Sequence, residues 1–261
     1  MKNTISILII TLLFFSSCKN KSKENNELTT NTEIKTEKKD IKKRELEITP
    51  IEHATMVLTY ENTVIYTDPV GGAEAFKEQK KPTIVLITDI HGDHLNAETL
   101  EALDLSKATV VMPKAVADKL PELNFLESVI LDNGKTTTVN GISIEAIPMY
   151  NLREEALKFH SKGRGNGYVI TLGEERIYIS GDTEDIPEMR ALKNIDKAFV
   201  CMNLPYTMPV ESAASAVLDF TPKQVYPYHF RGTEGLSDVA LFKTMVNNSN
   251  KNIEVVQLNW Y

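Results

Sequence analysis

The sequence of 261 residues predicts an α/β (α+β) domain in which mixed β-sheets are covered by helices. Hairpin signals come early, since the strand-like runs Met56–Tyr60 and Val64–Thr67 are separated by the turn residues Glu61 and Asn62. Strand and helix signals alternate later, which is typical of parallel strands joined by helices. With 42% apolar residues and no Pro/Gly-rich linker or repeat after residue 47, the chain can form one substantial core.

The individual elements follow from local patterns. Glu47–Ile51 is the first strand-like run, and Thr83–Thr88 is a continuous apolar run typical of a strand buried on both faces. Asn96 is expected to cap a helix that ends at Leu103. The other predicted strands are Ala108–Met112, Lys135–Val139, Ile142–Pro148, Tyr168–Leu172, Arg176–Ser180, Lys197–Met202, Gln224–Tyr228 and Ile253–Leu258, and the other helices are Pro187–Lys193, Val210–Phe220 and Ser237–Asn247.

The first 17 residues have the composition of a secretory signal. Lys2 precedes an apolar run over residues 5–15, which is too short to span a bilayer as a helix. Cys18 directly follows two serines, so residues 1–17 resemble a bacterial lipoprotein signal peptide and Cys18 is expected to become the acylated N-terminus. The expected location is the cell envelope, on a lipid anchor in the outer membrane. An ordinary signal peptide with an incidental cysteine is the alternative.

Residues 18–47 are expected to form a disordered tether, since they hold nine basic and seven acidic residues and almost nothing apolar. The remaining domain, residues 48–261, carries 19 basic and 29 acidic residues, a net charge of −10. That charge argues against a general nucleic-acid binder. Two cysteines are too few for a disulfide scaffold or a four-thiolate zinc site.

A segment rich in metal-ligand side chains follows the buried strand 83–88. Asp89, His91, Asp93 and His94 bring two carboxylates and two imidazoles into six residues. These are the usual ligands of zinc, iron and manganese in proteins. The spacing therefore predicts a metal site, and a polar turn that happens to contain these residue types is the alternative.

The segment 88–94 (TDIHGDH) resembles the H-x-H-x-D-H motif of the metallo-β-lactamase superfamily. The other motifs keep the family's order along the chain: Asp68-Pro69, Gly181-Asp182-Thr183 and His229. Because His53-Ala54 precedes Asp68-Pro69, the sequence is most similar to the branch that includes ascorbate-6-phosphate lactonase-like and N-acylphosphatidylethanolamine phospholipase D-like hydrolases. The resemblance implies a four-layered αββα sandwich over residues 48–261, with metals at one edge between the sheets.

The resemblance also implies roles for single residues. His91 belongs to the first metal position, Asp93, His94 and His229 to the second, and Asp182 bridges the two ions. It implies a hydrolase that directs a metal-bound hydroxide at an ester, lactone, amide or phosphodiester bond of a small-molecule or lipid-like substrate. Asp93 is expected to act catalytically, orienting the hydroxide and passing a proton to the leaving group. One or two divalent ions are expected, with zinc ahead of iron and manganese.

Two positions depart from the family pattern. Asp89 stands where the motif has its first histidine, and Asn151 stands where the third histidine of the first site is expected. Asp89 can still bind a metal, whereas Asn151 is better suited to a substrate hydrogen bond. The first site would then hold a harder metal, hold its metal weakly, or recruit His160. With five histidines in the chain, the sequence predicts a carboxylate-enriched, asymmetric metal centre.

The loop 150–167 is a second candidate region. Three alternating glycines permit tight backbone geometry there. Four cations lie in the same loop, at Arg153, Lys158, Lys162 and Arg164. They predict a mouth that accepts a substrate carboxylate or phosphate, in which Arg164 and His160 would contact the substrate. A flexible, solvated connection is the alternative.

Two residues ahead of the motif are expected to support the site. His53 is interpreted as a substrate contact or as a support for a ligand, and Asp68 is expected to orient a ligand imidazole. A second hypothesis for the whole protein is a metal- or ligand-binding envelope lipoprotein without turnover. Di-iron redox chemistry is a third, although no flavoprotein segment accompanies the domain.

Overall fold

The structure is a computed structural model that describes residues 45–261. The predicted signal peptide, Cys18 and nearly all of the predicted tether lie outside the described residues. The first strand begins at Glu47, one residue before the predicted domain boundary, and Leu46 is already buried. Within the described residues, no helix is both long and apolar enough to cross a membrane.

Fifteen strands and five α-helices are present in residues 45–261. The strands are β1 (Glu47–Glu52), β2 (Thr55–Tyr60), β3 (Thr63–Thr67), β4 (Ile84–Leu86), β5 (Thr109–Met112), β6 (Glu127–Ile130), β7 (Thr136–Val139), β8 (Ile142–Met149), β9 (Gly165–Leu172), β10 (Glu175–Ile179), β11 (Lys197–Cys201), β12 (Gln224–Tyr228), β13 (Arg231–Gly232), β14 (Gly235–Leu236) and β15 (Glu254–Val255). The helices are α1 (Ala97–Ala102), α2 (Lys114–Ala117), α3 (Pro187–Arg190), α4 (Val210–Phe220) and α5 (Val239–Ser249), with 3₁₀ turns at Ala73–Phe76 and Glu154–Ala156.

The strands form two large mixed sheets. The first has the order β1-β2-β3-β4-β5-β6, antiparallel from β1 to β3 and parallel from β3 to β6. The second has the order β15-β12-β11-β10-β9-β8-β7, in which β10, β11, β12 and β15 are parallel. The predicted combination of early hairpins and later alternation is therefore confirmed, and it occurs in both sheets.

Alternating side chains of the first sheet pack on opposite faces. In β2, Met56 and Leu58 join a core shared with the second sheet, whereas Val57 between them packs on the outer face. Strand β4 repeats the pattern, with Val85 on the outer face. A strand buried on both faces needs a continuous apolar run, which is why the segment 83–88 carries no polar alternation.

Helices cover the outer face of each sheet. Leu100 of α1 and Val116 of α2 pack on the first sheet, and Val217 of α4 and Phe242 of α5 pack in the core of the second. The predicted four-layered αββα sandwich is confirmed. The expected cap of α1 also forms, since the side chain of Asn96 accepts a hydrogen bond from the Thr99 amide.

Several elements differ from the sequence prediction. Helix α2 and the β13–β14 hairpin were not predicted, and the predicted strand Ile253–Leu258 is reduced to β15. Strand β6 was not predicted, because it is an exposed edge strand in which three of four residues are open to solvent and no alternation results. Strand β9 begins at Gly165 rather than at Tyr168. The two glycines that open it are buried where side chains would collide: a Cβ on Gly167 would lie 2.7 Å from the Ser180 carbonyl oxygen. These glycines permit close packing rather than a flexible connection.

Candidate metal centre

Polar side chains collect where strands of both sheets end. Asp68 follows β3, the segment 88–94 follows β4, Asp182 follows β10 and His229 follows β12. The two sheets are tied together at this edge by β9. Its Asn166 amide donates to the Thr88 carbonyl at 2.9 Å, and the Tyr168 hydroxyl donates to the Ile87 carbonyl at 2.8 Å. The turn after β4 is therefore held against the second sheet.

A fully buried hydrogen-bond network fixes His94. Asp68 accepts hydrogen bonds from the Thr88 amide at 2.7 Å and the Thr88 hydroxyl at 2.6 Å. Its Oδ2 also lies 2.9 Å from Nδ1 of His94. This contact at Nδ1 directs Nε2 of His94 toward the other candidate ligands, where it could bind an ion after losing its proton. The predicted orienting role of Asp68 matches this geometry.

The atoms Asp93 Oδ2, His94 Nε2 and His229 Nε2 form one candidate ion-binding cluster. The two imidazole nitrogens are 3.2 Å apart, and they lie 3.9 Å and 3.3 Å from the Asp93 oxygen. Tetrahedral ligands of an ion with bonds of about 2.0–2.1 Å are about 3.3–3.4 Å apart. Two of the three separations are close to that value and the third is longer, so the three side chains could share a divalent ion, and we call them the second cluster.

Asp89, His91 and His160 form the first cluster. Asp89 Oδ2 lies 2.8 Å from His91 Nδ1 and 3.8 Å from His160 Nε2. His160 is buried, and its Nδ1 lies 3.1 Å from the Tyr206 carbonyl oxygen, so a proton there leaves Nε2 aimed at the cluster. The histidine that the sequence left open is therefore placed among the candidate ligands.

Asp182 links the two clusters. One of its oxygens, Oδ2, lies 3.1 Å from His160 Nε2 and 3.4 Å from His94 Nε2, and the other, Oδ1, lies 3.2 Å from His229 Nε2. Both His160 Nε2 and Asp182 Oδ1 are buried without a hydrogen bond. Buried polar atoms almost always have a hydrogen-bond partner. Two such atoms without a partner, at this spacing, are suited to act as ligands of a pair of divalent ions.

The charges of the site are strongly coupled. Burial would raise the pKa of Asp182, but the neighbouring His229, His94 and His160 hold that pKa well below its ordinary value. Burial likewise opposes charge on His94, yet Asp182 and Asp68 raise the pKa of His94 well above 6.5. Asp182 is therefore ionised at every physiological pH, as a bridging carboxylate must be.

Arg164 is paired with Asp89 and is not positioned to contact a substrate. Its guanidinium binds Asp89 through two hydrogen bonds, Nε–Oδ1 at 3.0 Å and Nη2–Oδ2 at 2.8 Å. A bidentate pair of this kind fixes the carboxylate and neutralises the cation. Arg164 instead sets the orientation of Asp89 in the first cluster.

Asn151 is likewise displaced from its predicted role. It is buried, and its Nδ2 donates to the carbonyl oxygens of Ala156 at 2.9 Å and Tyr206 at 2.7 Å. The Asn151 amide therefore connects two segments that pack around His160, the turn that contains Ala156 and the loop that contains Tyr206. Asn151 does not line the cavity described below, so the expected substrate contact does not match its position.

Two of the other predicted loop cations are also paired with carboxylates, whereas Lys158 contacts an aromatic ring. The Arg153 Nε donates to Glu184 at 2.6 Å, and the Lys162 Nζ donates to Glu188 at 2.9 Å. Lys158 lies over the Phe159 ring, 4.9 Å from its centroid. None of the four cations lines the cavity described below, so the predicted anion-accepting mouth does not match their positions.

A cavity of about 410 Å³ opens beside the two clusters. His91, Asp93, His160, Asp182 and His229 form its polar floor. The remaining walls are His53, Phe159, Asn203, Tyr206 and residues 231–233. His53 thus borders the cavity beside the second cluster, with its ring centroid 4.8 Å from that of His229.

Sequence reasoning passed over Arg231, which lines the cavity two residues after His229. The available signal was its position next to a predicted ligand at the end of a strand. The sequence pattern instead favoured the loop 150–167 as the anion site, because four cations lie close together there.

Comparisons with known proteins agree with this geometry. A family model described as "Beta-lactamase superfamily domain" matches residues 47–229. The chain is 30% identical over 181 residues to a protein of Thermococcus onnurineus named UPF0173 metal-dependent hydrolase, covering 67% of this chain and 80% of that one.

Solved structures are similar over nearly the whole domain. A crystal structure from Parabacteroides distasonis, whose assigned activity of metal-dependent hydrolase is itself provisional, has 38% identity and a TM-score of 0.72. It covers 82% of this chain and 93% of that chain. Igni18, a metallo hydrolase of Ignicoccus hospitalis, shares the fold at 21% identity and a TM-score of 0.69, covering 82% and 95% of the two chains.

The buried network predicts the effect of Asp68→Asn on metal-free protein. Loss of one partner of a buried charged pair should lower the free energy of unfolding by about 3 kcal/mol. A raised histidine pKa stabilises the fold below about pH 6.5, and this contribution disappears as pH rises through the folded pKa. The destabilisation should therefore be larger at pH 6 than at pH 9, as measured by urea unfolding of chelator-treated protein.

Thr67→Val is the matched control for that measurement. Thr67 is also fully buried beside Asp68, but its hydroxyl has no hydrogen-bond partner, so its removal should change stability little. Equal losses in the two variants, or an Asp68→Asn loss that does not vary with pH, would contradict the assigned network.

Proposed function

The chain belongs to the β-lactamase superfamily, and on that premise we propose that it is a metal-dependent hydrolase of a small-molecule substrate. The observation that carries the proposal is the arrangement around Asp182. Candidate ligand atoms from three separate strand ends and from the loop before β9 lie close enough together to share ions, and two of them are buried without a hydrogen bond.

We propose the following ligands. Asp89, His91 and His160 would hold the first ion, and Asp93, His94 and His229 the second, with Asp182 binding both. His160 thereby replaces the histidine that the family pattern expects at position 151. The mixed imidazole and carboxylate ligand set favours zinc.

The protein groups supply the rest of the chemistry. When bound, the ions would polarise the scissile bond and lower the pKa of water at the site. Of the two carboxylates that line the cavity, Asp93 is the more exposed, with 41% of its side chain accessible against 4% for Asp182. Burial raises its pKa, but contacts with His229 and His94 outweigh burial and lower that pKa overall. Asp93 can therefore accept a hydrogen bond from the attacking water and later move a proton toward the leaving group.

Arg164 and Asn151 act as positioning residues in this proposal. Arg164 presents Asp89 in one orientation, and Asn151 joins the chain segments around His160. Supporting contacts of this kind orient ligands and tune their basicity. Burial raises the pKa of Asp89, whereas hydrogen bonds with His91 and Arg164 lower it, and the pKa is lowered overall. The carboxylate of the first cluster is thus ionised.

We propose that the domain is displayed in the cell envelope on a lipid anchor at Cys18. The support is sequence alone: the short apolar run over 5–15, the serines before the cysteine, and the charged segment 18–47. Cys201 offers no competing site among residues 45–261, because it is the free cysteine there and is fully buried.

Metal content tests the ligand assignment. His160→Ala should reduce the bound zinc from two ions to one per chain, because the first cluster loses one of its two imidazole ligands. Elemental analysis and calorimetric titration measure this directly. His53→Ala is the matched control, since His53 lines the same cavity outside both clusters and should leave two ions bound. Retention of both ions by His160→Ala would refute the assignment.

Turnover tests the hydrolase itself. Removal of metal should abolish hydrolysis of a panel of nitrophenyl esters, lactones and bis-nitrophenyl phosphate, and added zinc should restore it. Asp182→Asn should reduce kcat/KM by about 10³-fold, because the bridging charge contributes several kcal/mol to holding the ions. If loaded protein with two ions hydrolyses nothing in the panel, the non-catalytic metal-binding hypothesis is favoured instead.

Lipid attachment tests the anchor. In a bacterial host, the full chain should incorporate an alkyne-labelled fatty acid and sediment with membranes, and Cys18→Ser should lose the label. Cys201→Ala controls for labelling of the other cysteine and should behave as the unaltered chain. A labelled Cys18→Ser protein, or an unlabelled parent that is secreted in soluble form, would favour an ordinary signal peptide.

A further inference from the structure

We propose that the cavity contains a subsite for an anionic group, built on Arg231, and that the substrate carries a carboxylate or phosphate close to its scissile bond. This inference rests on the proposed hydrolase function and specifies its substrate class. It assigns to Arg231 the role that the sequence predicted for the loop 150–167.

Arg231 is the basic side chain among the residues that line the cavity, apart from histidines. Its guanidinium carbon lies 4.0 Å from the centroid of the Tyr261 ring, which supports one face of the planar group. Its closest carboxylate is Glu52, at 3.4 Å from Nη1, and the two side chains are 43% and 54% exposed. An exposed pair of this length is weak, so most of the donors of Arg231 remain available to a ligand.

The backbone holds Arg231 near the second cluster. It follows His229 by two residues, so the two Cα atoms are at most about 7 Å apart. Arg231 opens the β13–β14 hairpin, and a Cβ on the next residue, Gly232, would lie 1.9 Å from the Leu204 carbonyl oxygen. The hairpin therefore packs tightly on the loop that carries Tyr206, and Arg231 keeps a fixed position.

His53 completes the wall between Arg231 and the ions. Its Nδ1 lies 2.8 Å from the Tyr261 hydroxyl, and its carbonyl accepts the His229 amide at 3.2 Å. The residue has a positive φ of 53°, a conformation that is uncommon outside glycine and concentrates at functional sites.

A cation in the cavity wall would favour an anionic substrate in a domain that is otherwise acidic. Residues 48–261 carry a net charge of −10, which opposes the approach of an anion. Arg153, Lys162 and Arg164 are paired with carboxylates, so they cannot offset that repulsion at the cavity. The wall formed by Phe159 and Tyr206, with ring centroids 5.1 Å apart, suits an apolar body of the substrate.

Calorimetric titration of the zinc-loaded full chain with glutarate and with acetate tests the subsite. Glutarate can place one carboxylate at the ions and the other at Arg231, whereas acetate reaches the ions alone. We expect glutarate to bind at least about tenfold more tightly than acetate, and Arg231→Gln to remove that advantage while leaving acetate unchanged. The phosphonate analogue 3-phosphonopropionate, titrated in the same way, shows which anion the subsite prefers.

Two further variants sharpen the comparison. Glu52→Gln removes the one carboxylate that competes for Arg231 and should strengthen glutarate binding two- to fivefold. Lys251→Gln removes an equal charge and should change nothing. Lys251 precedes β15, which runs parallel to β12, so it lies at the end of the strands opposite to the one where His229 follows β12. Arg231→Lys keeps the charge without the planar donors and should retain part of the advantage.

The outcomes separate this inference from the function on which it rests. Equal glutarate affinity in the parent and Arg231→Gln, or equal affinity of the parent for glutarate and acetate, would overturn the subsite while leaving the hydrolase intact. Absence of bound zinc and of binding by either anion would overturn the metal-dependent function itself.

Discussion

The interaction on which the centre depends is the burial of the Asp182 carboxylate among imidazoles. A carboxylate removed from water is costly unless opposite charge or donors surround it. His94, His160 and His229 all approach Asp182 within 3.4 Å, and each comes from a different segment of the chain. The clusters can form only if these segments meet at the one point where Asp182 lies.

That requirement explains features of the fold that look unrelated. Strand β9 brings the two sheets together at the site edge because Gly165 and Gly167 leave no side chain between it and its neighbours. The Asn166 amide and Tyr168 hydroxyl then reach the main chain at the end of β4. Main-chain contacts between the layers hold His94 at a fixed distance from Asp182 in a way that surface side chains could not.

The same edge shows how charge is distributed in an acidic domain. Most cations of the loop 150–167 form ion pairs with carboxylates, as Arg164 does with Asp89 and Arg153 with Glu184. Only a cation with a weak partner can serve a ligand, and Arg231 meets that condition among the residues lining the cavity. Positive charge near a site therefore indicates substrate binding only after its protein partners are known.

The sequence by itself determined the superfamily, the αββα fold and most of the centre, because those signals are local. Asp89 to His94 share one turn, and Asp68, Asp182 and His229 each follow a recognisable strand. The tertiary structure decided what depends on distance through space. It placed His160 in the first cluster and Asn151 behind it, paired Arg164 with a carboxylate 75 residues away, and left Arg231 exposed to the cavity. No pattern along the chain records these contacts, because packing between loops fixes them rather than the periodicity of any single element.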